Sequence, residues 1–262
     1  MKIIGGNIEI AEKINTGGTA NVYLGVDTWT GFPVAVKELK SDFFKSELVK
    51  RKFNAEANKY LYLNHPNIVK LQNFIDEGDS QYLVMEYIDG FNLNEYQNKV
   101  TGPMPVSMAA ILMSETLKAL SYAHDNGVIH LDVKPSNIML SHQEEIKVVD
   151  FGISKDSDEE QPEVLLGTPS YMSPEQIKGE QIDHRTDIYS AGATLFELIT
   201  GRPPFSESCD REELFENIKS KDFPEISGND MLNQIIKKAT AKKKENRYQN
   251  CEEFNQDLIR LL

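Results

Sequence analysis

His130-Leu131-Asp132-Val133-Lys134-Pro135-Ser136-Asn137, with Asp150-Phe151-Gly152 a short way downstream, decides how the rest of the chain is read. A carboxylate such as Asp132 can orient a hydroxyl and accept its proton while a phosphoryl group is transferred to the oxygen. Lys134 can neutralise charge on that group. Asn137 offers a neutral oxygen and Asp150 an anionic one, a pair suited to Mg²⁺, a hard ion that prefers oxygen and shares its coordination with phosphates. A base, a phosphate-facing cation and two metal ligands form the set that phosphoryl transfer from ATP requires. His130 invites a base assignment, but its apolar neighbours Val128, Ile129 and Leu131 point it inward, to a structural role.

Upstream, Val34-Ala35-Val36-Lys37 alternates in the manner of a short strand that buries one face and projects Lys37, where its ammonium can hold ATP phosphates. Residues 46–63 carry Phe53, Ala57, Tyr60 and Leu61 at helical spacing, which predicts an amphipathic helix packed on that strand. Glu56 lies in this helix. It is either a solvated surface carboxylate, the common fate of helical Glu, or the partner that fixes Lys37 against the α- and β-phosphates. Further on come Gly167-Thr168-Pro169-Ser170-Tyr171-Met172-Ser173-Pro174-Glu175 and Asp187-Ile188-Tyr189-Ser190-Ala191-Gly192. The catalytic-loop Asp and Asn or the Asp-Phe-Gly alone arises readily by chance; all of these segments in this order do not.

The ordered series resembles the protein kinase family, of the serine/threonine type found in bacteria, from Ile8 to about Leu262. The resemblance implies an α+β, two-lobed fold making one protein kinase domain over 1–262: a small β-rich N-lobe with one key helix (about 1–86), a hinge at 86–90 and a larger helical C-lobe (about 91–262). The nucleotide site would lie at the junction. The resemblance further implies ATP bound with Mg²⁺, for which Mn²⁺ can substitute, and protein substrates bearing Ser or Thr. Ile14, Asn15, Gly17, Gly18 and Val22 would cover the nucleotide, and Ala35, Met139, Lys37 and Glu56 would hold it. Met85 would guard the back of the pocket, while the backbone of Glu86 and Ile88 would hydrogen-bond adenine. His130 would stack under Phe151, with Tyr60 and Leu71 above. In such kinases Thr168 contacts the catalytic Asp132 and Lys134 and shapes the substrate cleft, the alternative being a phosphosite; Glu175 would pair with Arg247.

Two departures from the family pattern matter. The nucleotide-covering loop, normally Gly-x-Gly-x-x-Gly-x-Val, reads Asn15-Thr16-Gly17-Gly18-Thr19-Ala20-Asn21-Val22 and keeps only its middle glycine. Asn tolerates left-handed backbone and Ala is small, so closure over phosphates is still expected. Leu131 stands where regulated relatives have an Arg that pairs with a phosphorylated activation loop. Residues 155–163 include Asp156, Asp158, Glu159, Glu160 and Glu163, so phosphate at Ser157 would add repulsion. Activity independent of loop phosphorylation is the expectation. A pseudokinase scaffold that binds nucleotide is the alternative suggested by Asn15, Ala20 and Leu131. A small-molecule kinase is disfavoured by the docking-type segment 167–175.

The charge is distributed unevenly. The chain carries 28 Lys and Arg against 41 Asp and Glu, and all but one unit of the −13 net charge lies beyond Ile88. That surplus disfavours nucleic acid as a partner and either attracts basic segments or simply keeps the surface solvated. Two cysteines, Cys209 and Cys251, are too few for a disulfide framework and fit a reducing, cytoplasmic compartment. No run of 18 apolar residues occurs, so no membrane segment is expected in this sequence, with anchoring through a further C-terminal region left open. The oligomeric state is not legible.

Strands are expected within 8–37, at 69–75 and at 81–87, then a turn at Asp89-Gly90. Helices are expected at 105–126, 187–200, 211–220, 230–241 and 251–262. Lys242-Lys243-Lys244 is expected to cap the helix begun near Asp230, where cations suit the dipole.

Overall fold

A computed structural model of the chain describes residues 2–16, 20–40, 54, 57, 60–78, 80–151, 168–208 and 210–262. They divide into two compact units, Met1–Asp89 and Gly90–Leu262.

The first unit is one antiparallel sheet of β1 (Lys2–Ile4), β2 (Ile8–Thr16), β3 (Ala20–Asp27), β4 (Pro33–Leu39), β5 (Leu71–Asp76) and β6 (Gln81–Glu86), in the order β1-β2-β3-β4-β6-β5. Alternation assigns the two faces. Val34 and Val36 join Ile4, Ile8, Ile75, Tyr82 and Val84 in an apolar core on one side. Ala35 and Lys37 point to the other. The sheet curls until the turn after β1 meets the end of β5: the Gly5 N–H donates to Glu77 Oε1 at 2.8 Å. A Cβ on Gly5 would lie 2.5 Å from Ile75 Cδ1, and its φ of +56° is left-handed, so glycine is required there. Lys2 locks the same closure, its Nζ 2.6 Å from Tyr82 Oη and 3.0 Å from Glu38 Oε1. The strand expected from Val69 begins instead at Leu71, because Ile68 and Val69 are already buried in the irregular approach to it. Of the helix expected at 46–63, only Asn54, Ala57 and 60–63 are described; Asn54, Ala57, Tyr60 and Leu61 are helical.

The second unit opens with β7 (Gly90–Asn92), which pairs with β8 (Ile138–Ser141), itself paired with β9 (Ile146–Val148). Gly90 thus begins a strand; the expected turn is absent because Gly90 pairs with Ser141. Its seven helices are α1 (Leu93–Tyr96), α2 (Val106–Asp125), α3 (Pro174–Lys178), α4 (Arg185–Thr200), α5 (Arg211–Ser220), α6 (Asp230–Ala239) and α7 (Cys251–Leu258), counted among the described residues. Side chains set their ends. Ser173 and Gln176 form a capping box before α3, with Pro174 in its first turn, and Asp210, Asn229 and Asn250 accept N–H bonds at the starts of α5, α6 and α7. Helix α4 is buried from Thr186 through Leu198, which makes it the axis of the unit, with α2 and α6 packed against it.

The lysine run does not cap α6. That helix stops at Ala239 with Lys237 and Lys238 in its last turn, where they meet the dipole. Lys242 is folded in among Tyr189, Phe205 and Phe223, whose ring centres lie 5.5–5.7 Å from its Nζ. Lys244 pairs with Asp183 at 3.0 Å.

Candidate active site

In the second unit, Asp132 is surrounded by donors. Lys134 Nζ lies 2.6 Å from its Oδ2. The Thr168 N–H donates to Oδ1 at 3.0 Å, and Asn137 Nδ2 donates to Oδ2 at 3.1 Å and to the Asp132 carbonyl at 2.9 Å. Lys134 also donates to Thr168 Oγ1 at 2.5 Å. Asp132 and Lys134 are each part-exposed, so an incoming hydroxyl has a route to the carboxylate. Because both contacts of Asn137 use its NH₂, its amide oxygen, the atom able to bind a cation, bonds none of the described residues.

Asp150 is fixed through its neighbour. The Val149 N–H donates to the Asn137 carbonyl at 3.0 Å, and the Val149 carbonyl lies 3.0 Å from His130 Nε2. Asp150 then takes φ +55°, an uncommon conformation for a non-glycine residue and typical of functional sites. His130 is fully buried and lies against Phe151, ring centres 4.7 Å apart. The inward role read from its flanks agrees with this.

Helix α4 supplies what the sequence reading missed. Asp187, fully buried, accepts from the N–H of His130 on Oδ2 and of Leu131 on Oδ1, both at 2.8 Å, and from His124 at 2.8 Å. Burial alone would raise its carboxyl, but the hydrogen bonds from His124 and from the His130 backbone N–H help hold it below the ordinary range. The signal in the sequence is an Asp at the head of the segment Asp187-Ile188-Tyr189-Ser190-Ala191-Gly192. Gln176 Nε2 adds a bond to the Leu131 carbonyl at 3.2 Å.

Thr168 begins a braced segment. Ser190 Oγ donates to the Tyr171 carbonyl at 2.8 Å, and the Tyr171 hydroxyl donates to Glu197. Glu175 receives Arg247 through two parallel bonds, Nη1 to Oε1 at 2.6 Å and Nη2 to Oε2 at 2.7 Å, both residues buried, as expected from the sequence.

In the first unit, the register places several nucleotide candidates on one face. Val22 lies opposite Lys37, and Ala35 lies opposite Met85. Asn15 lies opposite Val22 and takes the Thr16 N–H on its side chain at 2.7 Å, while Ile14 is largely exposed. The Glu86 N–H donates to Lys70 at 3.0 Å, whereas the Ile88 N–H bonds none of the described residues. Met139 lies in β8 of the second unit, opposite Asn92. Gly17, Gly18, Glu56 and the segment 155–163 lie outside the described residues.

A curled antiparallel unit joined to a helical unit, with this loop in the latter, defines the two-part phosphotransferase fold of protein kinases. The chain matches the protein kinase domain model over residues 8–261 and belongs to that family. It is similar to the serine/threonine-protein kinase PknB of Mycobacterium leprae, 35% identical over 97% of this chain and 42% of the relative. It is also similar to the probable serine/threonine-protein kinase PknB of Bifidobacterium longum, 36% identical over 98% of this chain and 40% of the relative. The probable serine/threonine-protein kinase SCO3848 of Streptomyces coelicolor is 35% identical over 97% of this chain and 40% of its own length. The chain thus spans about two-fifths of the length of these relatives. Use of ATP and a divalent metal goes with the family.

Proposed function

We propose that this chain is a serine/threonine protein kinase domain that transfers the γ-phosphoryl group of ATP to Ser and Thr hydroxyls of protein substrates, with Mg²⁺ as its metal. The observation that carries the reading is the joint engagement of Asp132 by Lys134, Asn137 and Thr168. Asp132 orients the acceptor hydroxyl and takes its proton. Lys134, held between Asp132 and Thr168, neutralises the charge of the group in transit. Thr168 fixes the base and borders the acceptor.

The metal fits the donor set. Among the described residues no group of three or more His, Cys, Asp or Glu could hold an ion. Asn137 and Asp150 offer two hard oxygen ligands, the sparse protein contribution with which Mg²⁺ combines phosphate and water. A bound Mg²⁺ supplies charge neutralisation on the phosphates. Lys37, Val22, Ala35 and Met85 on the sheet face, and the Ile88 N–H, are assigned to the nucleotide.

Leu131 provides no cation for a phosphorylated loop, and its backbone is held instead by Asp187 and Gln176. Activity without loop phosphorylation follows; loss of activity on phosphatase treatment, repeated by a Ser or Thr substitution in 155–163, would refute it.

The direct test incubates the chain and its Asp132→Asn variant with labelled ATP, Mg²⁺ and a basic protein. Label transferred by the parent and not by the variant is expected. If neither transfers label while the parent binds ATP, the chain is a nucleotide-binding scaffold.

A further inference from the structure

The strand that carries Lys37 ends just beyond it. The ladder of β4 with β6 closes at the pair Glu38–Tyr82, one residue past Lys37, which itself pairs with Leu83 on β6 and with Val22 on β3. Ladder ends fray first, so this last pair decides how firmly Lys37 is held. Alternation puts Glu38 on the face of the apolar core with Val34 and Val36, and Lys37 on the opposite face.

Four side chains from four strands meet over that last pair. Lys2 of β1 donates to Tyr82 Oη at 2.6 Å and to Glu38 Oε1 at 3.0 Å, and the Tyr23 hydroxyl of β3 donates to Glu38 Oε2 at 2.9 Å. Both carboxylate oxygens are thereby engaged, and Lys2 is the one cation paired with Glu38 among the described residues. Tyr82 is buried and the Glu38 side chain is 17% exposed, so water competes little for these bonds. Burial alone would raise the Glu38 carboxyl, but the hydrogen bonds from Lys2 and Tyr23 hold it below its ordinary value, so it stays ionised and accepts. The cation comes from ahead of Ile8, where the family match begins.

We propose that Lys2 is a positioning residue for the nucleotide: it ties together the last β4–β6 pair, Glu38 and Tyr82, and so holds Lys37 where its ammonium meets the phosphates of ATP. The proposal rests on the assignment of Lys37 to the nucleotide made above. Lys2 acts through the β4 backbone from the face away from Lys37. Its effect therefore falls on the phosphates and leaves the adenosine part of the nucleotide and the peptide alone.

The test compares the chain with Lys2→Met, Lys2→Arg, Glu38→Gln and the Lys2→Met/Glu38→Gln double variant, in peptide kinetics and in calorimetric titrations with MgATP and with adenosine. Lys2→Met, which keeps length and removes charge, should weaken MgATP binding and lower kcat/KM for ATP about 5-fold, the low end of couplings between sites. Affinity for adenosine and KM for peptide should not change. Lys2→Arg, which keeps a cationic donor, should retain most of the parent's affinity. Because Lys2 works through Glu38, the double variant should be little worse than Glu38→Gln alone. Should either single substitution prevent folding, the other, read against Lys2→Arg, decides. Equal losses for ATP and adenosine would mean that β1 only stabilises the sheet and would overturn the proposal. Unchanged ATP affinity in Lys2→Met, or additive losses in the double variant, would do the same. A parent that binds MgATP but transfers no phosphate refutes the kinase reading, while the contrast between ATP and adenosine still decides the role of Lys2; a parent that binds no MgATP overturns both.

Discussion

Thr168 reaches Asp132 in two ways: its N–H donates to Oδ1 at 3.0 Å, and its hydroxyl receives at 2.5 Å the same Lys134 ammonium that lies 2.6 Å from Oδ2. Removing the hydroxyl leaves Lys134 tied to Asp132 alone and frees it to follow the carboxylate instead of the transferred group. Thr168→Ala should therefore lower kcat about 10-fold, whereas Thr168→Ser, which keeps the oxygen, should stay near the parent. Steady-state kinetics on a peptide substrate decides this. A Ser variant as impaired as the Ala variant would assign the effect to packing of the lost methyl group.

The Glu175–Arg247 pair makes a pH prediction whose sign changes when one partner is removed. Burial would raise the Glu175 carboxyl, but the paired guanidinium more than offsets it and holds the group below its ordinary value of 4.5. The parent's contribution from this pair is complete above that value and is lost as the pH falls through the lower folded value. In Arg247→Met, Glu175 is buried without its cation, which costs about 3–5 kcal/mol. Its carboxyl then rises above the ordinary value, so acidification from pH 7 toward 5 should stabilise the variant relative to the parent. Denaturant midpoints at the two pH values measure this, and a gap that widens on acidification would count against it.

The parts of this molecule legible in the sequence are those where chemistry dictates residue type at a fixed spacing or where apolar periodicity is long. Asp132, Lys134, Asn137 and Asp150 are named from chemistry, and the structure brings Lys134 and Asn137 each onto Asp132. Periodicity gives helix α5 to its observed ends and α2 to within a residue at each end. What escaped depends on partners remote in sequence. Strand β1 is three residues long and exists because β2 pairs with it. The strands β7, β8 and β9 have three or four residues each, too few for a period to show. Lys242 reads in the sequence as part of a run capping the helix begun near Asp230, because nothing local announces Tyr189, Phe205 and Phe223 around it. Likewise Asp187 marked a helix, but its bonds to residues 130 and 131 are a property of the fold.

Gly90 tests the small sheet of the second unit. A Cβ there would lie 2.1 Å from the Leu140 carbonyl oxygen and 2.7 Å from Ser141 Cα, and backbone atoms cannot rotate out of the way. Gly90→Ala must therefore open the pairing of β7 with β8, and overpacking of this kind costs about 1–3 kcal/mol. A fall in Tm of several degrees is expected, with faster hydrogen exchange at residues 138–141. Unchanged Tm and exchange would mean that the two strands separate at little cost.

Lys242 is expected to destabilise the fold at neutral pH. Its Nζ is buried and finds no hydrogen-bond partner among the described residues. Burial pulls its pKa from 10.5 down to about 8, against the opposing influence of Asp222. Between those values the unfolded chain binds a proton that the folded chain does not, so the parent's stability rises with pH across that window. Three aromatic faces recover part of the cost as cation–π attraction, and part of the stem still meets water. Lys242→Met, which keeps length and removes charge, should then gain about 1–2 kcal/mol at pH 7, a figure reduced for solvent screening. Its advantage should shrink as the pH approaches 10. Parallel denaturant titrations of the two proteins at pH 7 and 9.5 give both quantities, and a variant less stable than its parent at pH 7 would show that the rings more than repay the lost hydration.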